Sequence, residues 1–240
     1  MEDYHVHTTF SDGRSTPEEM VLAALDRGME AIGFSDHSYT WFDESYCIPK
    51  ERLEEYRQTV AGLKAKYAGK IRIYCGIEQD FYSEEPAGCY DYRIGSVHYL
   101  KLGGEYIPVD ETPEILLDAA KKYFAGDLYA LAECYYETVA RVVEKTNADV
   151  IGHFDLIAKF NEGNRLFDEG SPRYTAAWQQ AVGALISTGK PFEINTGAIS
   201  RGYRSIPYPA PEIQAEIRRL GGRFLLSSDS HSAGTLCYGF

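Results

Sequence analysis

Six histidines occur in this chain of 240 residues, and each stands in a short motif. His5 and His7 form His-x-His, and His37 follows Asp36. His98 ends Gly95-Ser96-Val97-His98, and His153 opens His153-Phe154-Asp155. His231 ends Asp229-Ser230-His231. None is left over as an ordinary surface or core histidine. Imidazole is a good ligand for transition metals, and carboxylates complete such sites with hard oxygen. The pattern predicts a protein built around bound metal, with more than one ion. In a strand, residues two apart face the same side. His5 and His7 can therefore chelate one ion, and Asp229 and His231 can flank it in the same way.

Other groups join this set by position. Glu78 ends Gly76-Ile77-Glu78, and one carboxylate can bridge two cations through its two oxygens. Asp12 lies in Ser11-Asp12-Gly13, just after the His-x-His pair; Ser-Asp-Gly is also a common turn. Asp36 can orient His37 or neighbouring ligands, and Asp155 can orient His153 or cap the next segment of chain. Two segments carry positive charge, 159–165 with Lys159 and Arg165, and 195–204 with Asn195, Arg201 and Arg204. Arginine beside clustered metal suits a phosphate, because its planar fork holds two oxygens. The alternative is surface pairing with the abundant carboxylates.

The elements needed to position these groups can be read from hydropathy. Strands are predicted at 4–7, 31–35, 71–77, 92–98, 150–153, 191–195 and 223–228. Helices are predicted from Thr16-Pro17 to Gly28 and over 50–67, 112–124, 127–146, 172–188 and 211–220. Thr16 and Glu19 have capping-box spacing, and Pro17 suits the first helical position. Gly103-Gly104 and Gly221-Gly222 read as turns. Strand–helix alternation favours a parallel sheet. His7, His37, Glu78, His98, His153, Asn195 and Asp229 all fall at or just beyond strand ends. Seven strand ends meet at one site only if the sheet curls into a barrel, whose C-terminal face carries the active site. An open doubly wound sheet would spread them along a line. No linker or repeat divides the chain, so residues 1–240 are expected to be one α/β domain.

Composition narrows the partners. Lys and Arg total 24 against 36 Asp and Glu, a formal charge of −12. That field repels nucleic acid and anionic membranes. No apolar run approaches the about 18 residues that a membrane span needs. The start has no signal-peptide pattern, and the five scattered cysteines form no disulfide or zinc-ribbon framework. A cytoplasmic setting is expected. Neither a Gly-x-Ser-x-Gly elbow nor a phosphate-binding Gly-rich loop is present.

Taken together, 3–13, 33–37, 76–78, 95–98, 151–155, 193–197 and 227–231 resemble the motifs of the polymerase and histidinol phosphatase (PHP) superfamily. Within it they are most similar to the metal-dependent histidinol-phosphate phosphatases, which 152–155 and 195–197 favour. The resemblance implies a distorted seven-stranded β/α barrel, like a TIM barrel, with metal at the C-terminal strand ends. It implies two to three divalent ions of zinc, manganese or iron. His5, His7, Glu78 and Asp229 would hold the first, Glu78 with His98 and His153 the second, and Asp12, His37 and His231 the third. It implies hydrolysis of L-histidinol phosphate in histidine biosynthesis, with a hydroxide bridging two ions as nucleophile. Arg201 is the first choice to hold the phosphate, with Arg165, Lys159 and Asn195 as further substrate contacts. His231 or a metal-bound water would protonate the leaving alkoxide. Relatives usually continue with a helix after the last motif, so a C-terminal helix is expected to be missing here. The rival readings are a PHP phosphoesterase for another small ester or nucleotide, and a metal-stabilised binding module without turnover.

Overall fold

Strand–helix alternation carries through the whole chain, and the strands curl until the last meets the first. The computed structural model describes residues 1–84 and 89–240. Nine strands occur there: β1 (Glu2–Asp3), β2 (Ala31–Phe34), β3 (Arg72–Asp80), β4 (Tyr92–Ser96), β5 (Tyr99–Leu102), β6 (Glu105–Pro108), β7 (Val150–Ile151), β8 (Phe192–Asn195) and β9 (Phe224–Ser227). All but β5 and β6 form one parallel sheet in chain order. Val6 bridges Ser230 in parallel fashion. There the His7 N–H donates to the Ser230 carbonyl at 2.8 Å, and the Ser230 N–H to the His5 carbonyl at 3.1 Å. This seam joins the two edges, giving the seven-stranded barrel expected.

Eight helices accompany the strands: α1 (Pro17–Asp26), α2 (Leu53–Lys66), α3 (Pro113–Phe124), α4 (Leu128–Val139), α5 (Val142–Thr146), α6 (Pro172–Ile186), α7 (Gly197–Ser200) and α8 (Pro211–Arg219). The capping box at α1 is present: Thr16 Oγ1 accepts from the Glu19 N–H, and Glu19 accepts from the Thr16 N–H at 2.7 Å. Such a cap stabilises a helix start by about 1 kcal/mol. Met20, Val21 and Ala24 of α1 and Tyr56, Val60 and Leu63 of α2 pack on Ile32, Phe34 and Ile77. A second apolar cluster joins α3, α4, α6 and α8 around Leu131, Trp178, Leu185 and Phe192. Among the described residues, no helix is long and apolar enough to cross a membrane.

Three expectations need correction. The first ladder is Glu2–Asp3, not 4–7, because side chains take the donors a ladder would use. Asp3 accepts from the His5 N–H, and Ser35 Oγ from the Val6 N–H. The fourth strand stops at Ser96, where the Asp80 carboxylate captures the His98 N–H. The chain then reverses into the β5–β6 hairpin, which hydropathy does not reveal although its Gly103-Gly104 turn is legible. Both glycines have positive φ, as a two-residue hairpin turn requires. The helix expected over 127–146 breaks between α4 and α5, and α5 turns Val142 and Thr146 into the core.

Candidate metal centre and active site

The inward positions of the barrel strands are polar. Asp3, His5 and His7 alternate along one segment, Glu78 and Asp80 along β3, and Glu193 and Asn195 along β8; all are buried. The period of a strand puts each such set on one face. Buried carboxylates are tolerated only when their oxygens are satisfied.

Glu78 lies at the centre. Its Oε1 is 2.8 Å from His153 Nε2 and 3.4 Å from His98 Nε2, and accepts from Ser96 Oγ at 2.6 Å. Its Oε2 is 3.0 Å from His37 Nδ1, 3.2 Å from His5 Nε2 and 3.5 Å from His7 Nε2. One carboxylate thus faces five histidines. Asp229 Oδ1 lies 3.3 Å from His7 Nε2 and 3.5 Å from His231 Nδ1. Asp12 Oδ2 is 3.1 Å from His231 Nε2, and its Oδ1 is 3.7 Å from both His7 and His37. Gly13 makes this approach possible, since a Cβ there would meet the His7 carbonyl carbon and the Thr8 nitrogen at 2.6 Å. The Ser-Asp-Gly turn and the metal-site reading of Asp12 are therefore compatible.

Three groups of side chains bring ligand atoms within 4.8 Å of one another: His5, His7 and Asp229; His37, Glu78 and His98; and His7, Asp12, His37 and His231. The grouping differs from the one implied by resemblance in two places. His37 turns toward Glu78 and His98 as well as toward Asp12, and His7 is shared between two groups. His153 meets the cluster through Glu78.

The polar atoms fit divalent cations. Nε2 of His5, both ring nitrogens of His7 and Oε2 of Glu78 are buried without a hydrogen-bond partner among the described residues. Leaving one such atom bare costs roughly 1–3 kcal/mol, so a cluster of them marks a site for a bound group. Electrostatics agree. Burial opposes charge on His5, but Glu193, Glu78 and Asp229 outweigh it and raise its pKa well above the usual value. His37 and His98 are raised in the same way, chiefly by Glu78. Burial works against ionised Glu78, yet His5, His37 and His98 hold it well below the carboxylate range. The pocket therefore draws positive charge, which metal ions or protons can supply. His7 differs: burial, then His231 and His37, push it down to about 3. Its ring stays neutral, with a lone pair for a metal.

Glu193 is a site residue that sequence reasoning misses, although it stands within a motif already singled out. His5 Nδ1 donates to its Oε1 at 2.5 Å, and the His153 N–H to its Oε2 at 2.8 Å. Ser227 Oγ and Asn195 Nδ2 also donate to it. A carboxylate accepting at Nδ1 leaves the His5 Nε2 lone pair facing inward. The signal that could have found it is a charged residue two before Asn195 in a strand buried on both faces. Asp36 does not touch the His37 ring. It accepts from Thr8 and Ser11, fixing the loop after His-x-His. The Asp155 side chain accepts from the Ala210 N–H and lies 3.7 Å from Arg204, so it neither orients His153 nor caps the turn that follows.

The cluster opens into a cavity of about 560 Å³. Arg201 and Lys159 both line it. Arg201 Nη2 donates to Asp229 Oδ2 at 3.0 Å and Nη1 to the Asp229 carbonyl at 2.9 Å. Lys159 Nζ is held by Asp110. Asn195 is a correction: its amide donates to Glu193 and Asp229 behind the ligands and does not line the cavity. Arg165 is another. It is exposed and lies outside the cavity wall, because the loop carrying it turns about Asn161. Arg14, Asp110 and Tyr203 line the cavity without having been anticipated. Near His37 and His98 stands Tyr46, at 4.8 and 6.3 Å between ring centres. The loop that carries it packs on the hairpin, where Phe42 stacks on Tyr106 at 3.8 Å.

Comparison with known proteins agrees with this geometry. Residues 3–197 match the PHP domain family. A histidinol-phosphatase from Lactococcus lactis subsp. lactis is 30% identical over 247 aligned residues, covering 96% of this chain and 84% of that one. The crystal structure of histidinol phosphate phosphatase from the same species, in complex with zinc, L-histidinol and phosphate, is 25% identical. It superposes with a TM-score of 0.69 over 97% of this chain and 86% of that one. A Listeria monocytogenes structure bearing a provisional histidinol phosphatase name gives a TM-score of 0.83 at 21% identity, over 100% and 98% of the two chains. At that identity the likeness speaks for the barrel alone.

Proposed function

This chain belongs to the PHP domain family, and we propose on that premise that it is a metal-dependent phosphomonoesterase. It hydrolyses L-histidinol phosphate to L-histidinol and phosphate in histidine biosynthesis. One observation carries the reading: unpartnered buried nitrogens of His5 and His7 converge with Glu78 Oε2 at the floor of an open cavity. The relatives that share the barrel and nearly the full length of the chain carry the substrate.

Two or three divalent ions, of zinc, manganese or iron, fit the ligand set. His5, His7 and Asp229 would hold one, Glu78 with His98, His153 and His37 another, and Asp12, His37 and His231 a third. Ions held there supply Lewis acidity toward phosphoryl oxygens and bring the pKa of a water toward neutrality. The protein's own groups do the rest. Water attacks phosphorus in line, the bond from phosphorus to the histidinol oxygen breaks, and the alkoxide takes a proton. Arg201 fixes Asp229 and stands at the cavity wall, where its charge stabilises the equatorial oxygens.

His231 has two states, set by its Nδ1. The Asp229 carbonyl and Arg201 Nη1 both lie 3.0 Å from that atom. The carbonyl asks for a proton there, which leaves Nε2 a lone pair for a metal. The guanidinium asks for a lone pair, which leaves Nε2 carrying a proton that can hydrogen-bond to the leaving oxygen, while the proton the alkoxide takes is the one the attacking water loses. A cytoplasmic setting suits the five free thiols. The acidic charge disfavours a polynucleotide substrate.

The test is phosphate release from L-histidinol phosphate by metal-reconstituted protein, beside other phosphomonoesters and nucleotides and a His153→Ala control. Selective turnover lost in the control supports the reading. Turnover of other esters but not this one keeps the metal chemistry and removes the substrate. Metal bound without turnover of any ester would make the protein a binding module.

A further inference from the structure

Four carboxylates line the cavity: Asp12, Glu78, Asp110 and Asp229. Three of them lie in the histidine clusters, where cations would neutralise them. Asp110 does not. It comes just after the β5–β6 hairpin and faces the cavity beside Lys159. The lysine is chelated by this one residue, donating to the Asp110 carbonyl at 2.7 Å and to Oδ2 at 3.1 Å. That pins the carboxylate in one orientation. Lys159 Nζ also lies over the Tyr203 ring at 4.7 Å and the Phe160 ring at 5.5 Å, which share its charge. Lys159 engages the carbonyl and Oδ2 of Asp110, not Oδ1, and the side chain is 27% exposed. Burial works against the carboxylate's charge, but Lys159, His98 and His153 keep it ionised below the usual range.

Resting on the proposed phosphatase reading, we infer that Asp110 is the specificity residue that binds the ammonium group of an amine-bearing phosphomonoester. The phosphate end of such a substrate belongs to the histidine and carboxylate cluster. The other end carries a positive charge and needs an anion within the same cavity. Asp110 is the carboxylate of the lining that lies in none of the three ligand groups. Lys159 acts as its positioning residue, and Tyr203 gives the subsite an aromatic wall. The preference for a cationic ester is thereby separate from the hydrolytic machinery.

The experiment compares kcat/KM for L-histidinol phosphate and for its deamino analogue, 3-(imidazol-4-yl)propyl phosphate, in the metal-loaded enzyme. Wild type is expected to prefer the amine. Asp110→Asn, which can still accept from Lys159, is expected to reduce that preference roughly 10- to 100-fold, mostly through a higher KM for the amine. Asp110→Glu should restore part of it, since it returns the charge. Equal metal content in the variants shows that the cluster is intact. The inference is overturned if wild type has no preference for the amine, or if Asp110→Asn keeps the wild-type ratio, including by losing both esters equally. Wild type without turnover of L-histidinol phosphate would instead remove the substrate reading, and this inference with it.

Discussion

At the floor of the cavity, three carboxylates that touch no solvent each accept from several donors on neighbouring segments. Asp3 accepts from His5, Ser228 and Cys237; Asp36 accepts from Thr8 and Ser11; Glu193 accepts from His5, His153, Asn195 and Ser227. At the mouth, Asp110 is held by one lysine, and Arg14 has no side-chain partner among the described residues. Trp41, on the neighbouring aromatic loop, is 56% exposed. The floor fixes rings through redundant bonds, as chemistry at phosphorus demands. The mouth makes few bonds, so its residues can change without disturbing the metal ligands. Reaction type and substrate choice are thus written in different parts of one cavity.

That contrast can be broken or sharpened by substitution. Glu78→Gln should have the largest effect, because one residue faces five histidines. Bound metal, measured by elemental analysis, should fall below the wild-type ratio, and kcat/KM should drop about a thousandfold or more. A variant that kept both would end the central role of Glu78. Glu193→Gln comes next, with a loss of metal affinity of roughly 10- to 100-fold in a chelator titration at neutral pH. The pH dependence has a definite sign. Glu193 is the strongest charge raising the His5 pKa, so in wild type protons compete with metal as pH falls through that raised value. Without this charge His5 protonates only at lower pH, and the affinity gap between variant and wild type should narrow on acidification. A gap that widens would assign Glu193 a purely steric role. Arg165→Ala should have the smallest effect, changing kcat/KM by no more than about twofold, since the side chain is exposed and off the cavity. A tenfold loss would bring Arg165 back to the substrate.

The same division explains what can be read from the chain. His5, His7, His37, Glu78, His98, His153 and Asp229 are legible because few residue types bind metal and because strand ends converge in a barrel. Glu193 and Asp3 obey the same two-residue period, but a carboxylate in a strand reads as a solvated one, and their role is missed. Asp110, Arg14 and Tyr203 come from loops that no periodicity places. Arg165 and Asn195 show the reverse error. Charge or polarity near a motif says nothing about which way a loop turns, and Asn161 and Glu193 turn these two elsewhere. The β5–β6 hairpin is hidden because Val97 and His98 continue the apolar pattern of β4 past the point where its ladder ends.

The Val6–Ser230 seam has a consequence in the order of synthesis. His5 and His7 leave the ribosome early, whereas Asp229 and His231 emerge more than two hundred residues later. A nascent chain therefore carries the His-x-His pair without its barrel-closing partners for most of its translation. The groups that pair it with Asp229 and His231 come into being only when the last strand is laid beside the first. A chain released before that point has neither a closed ring nor a full ligand set. Filling of the group formed by His5, His7 and Asp229 is in this sense a readout of barrel closure.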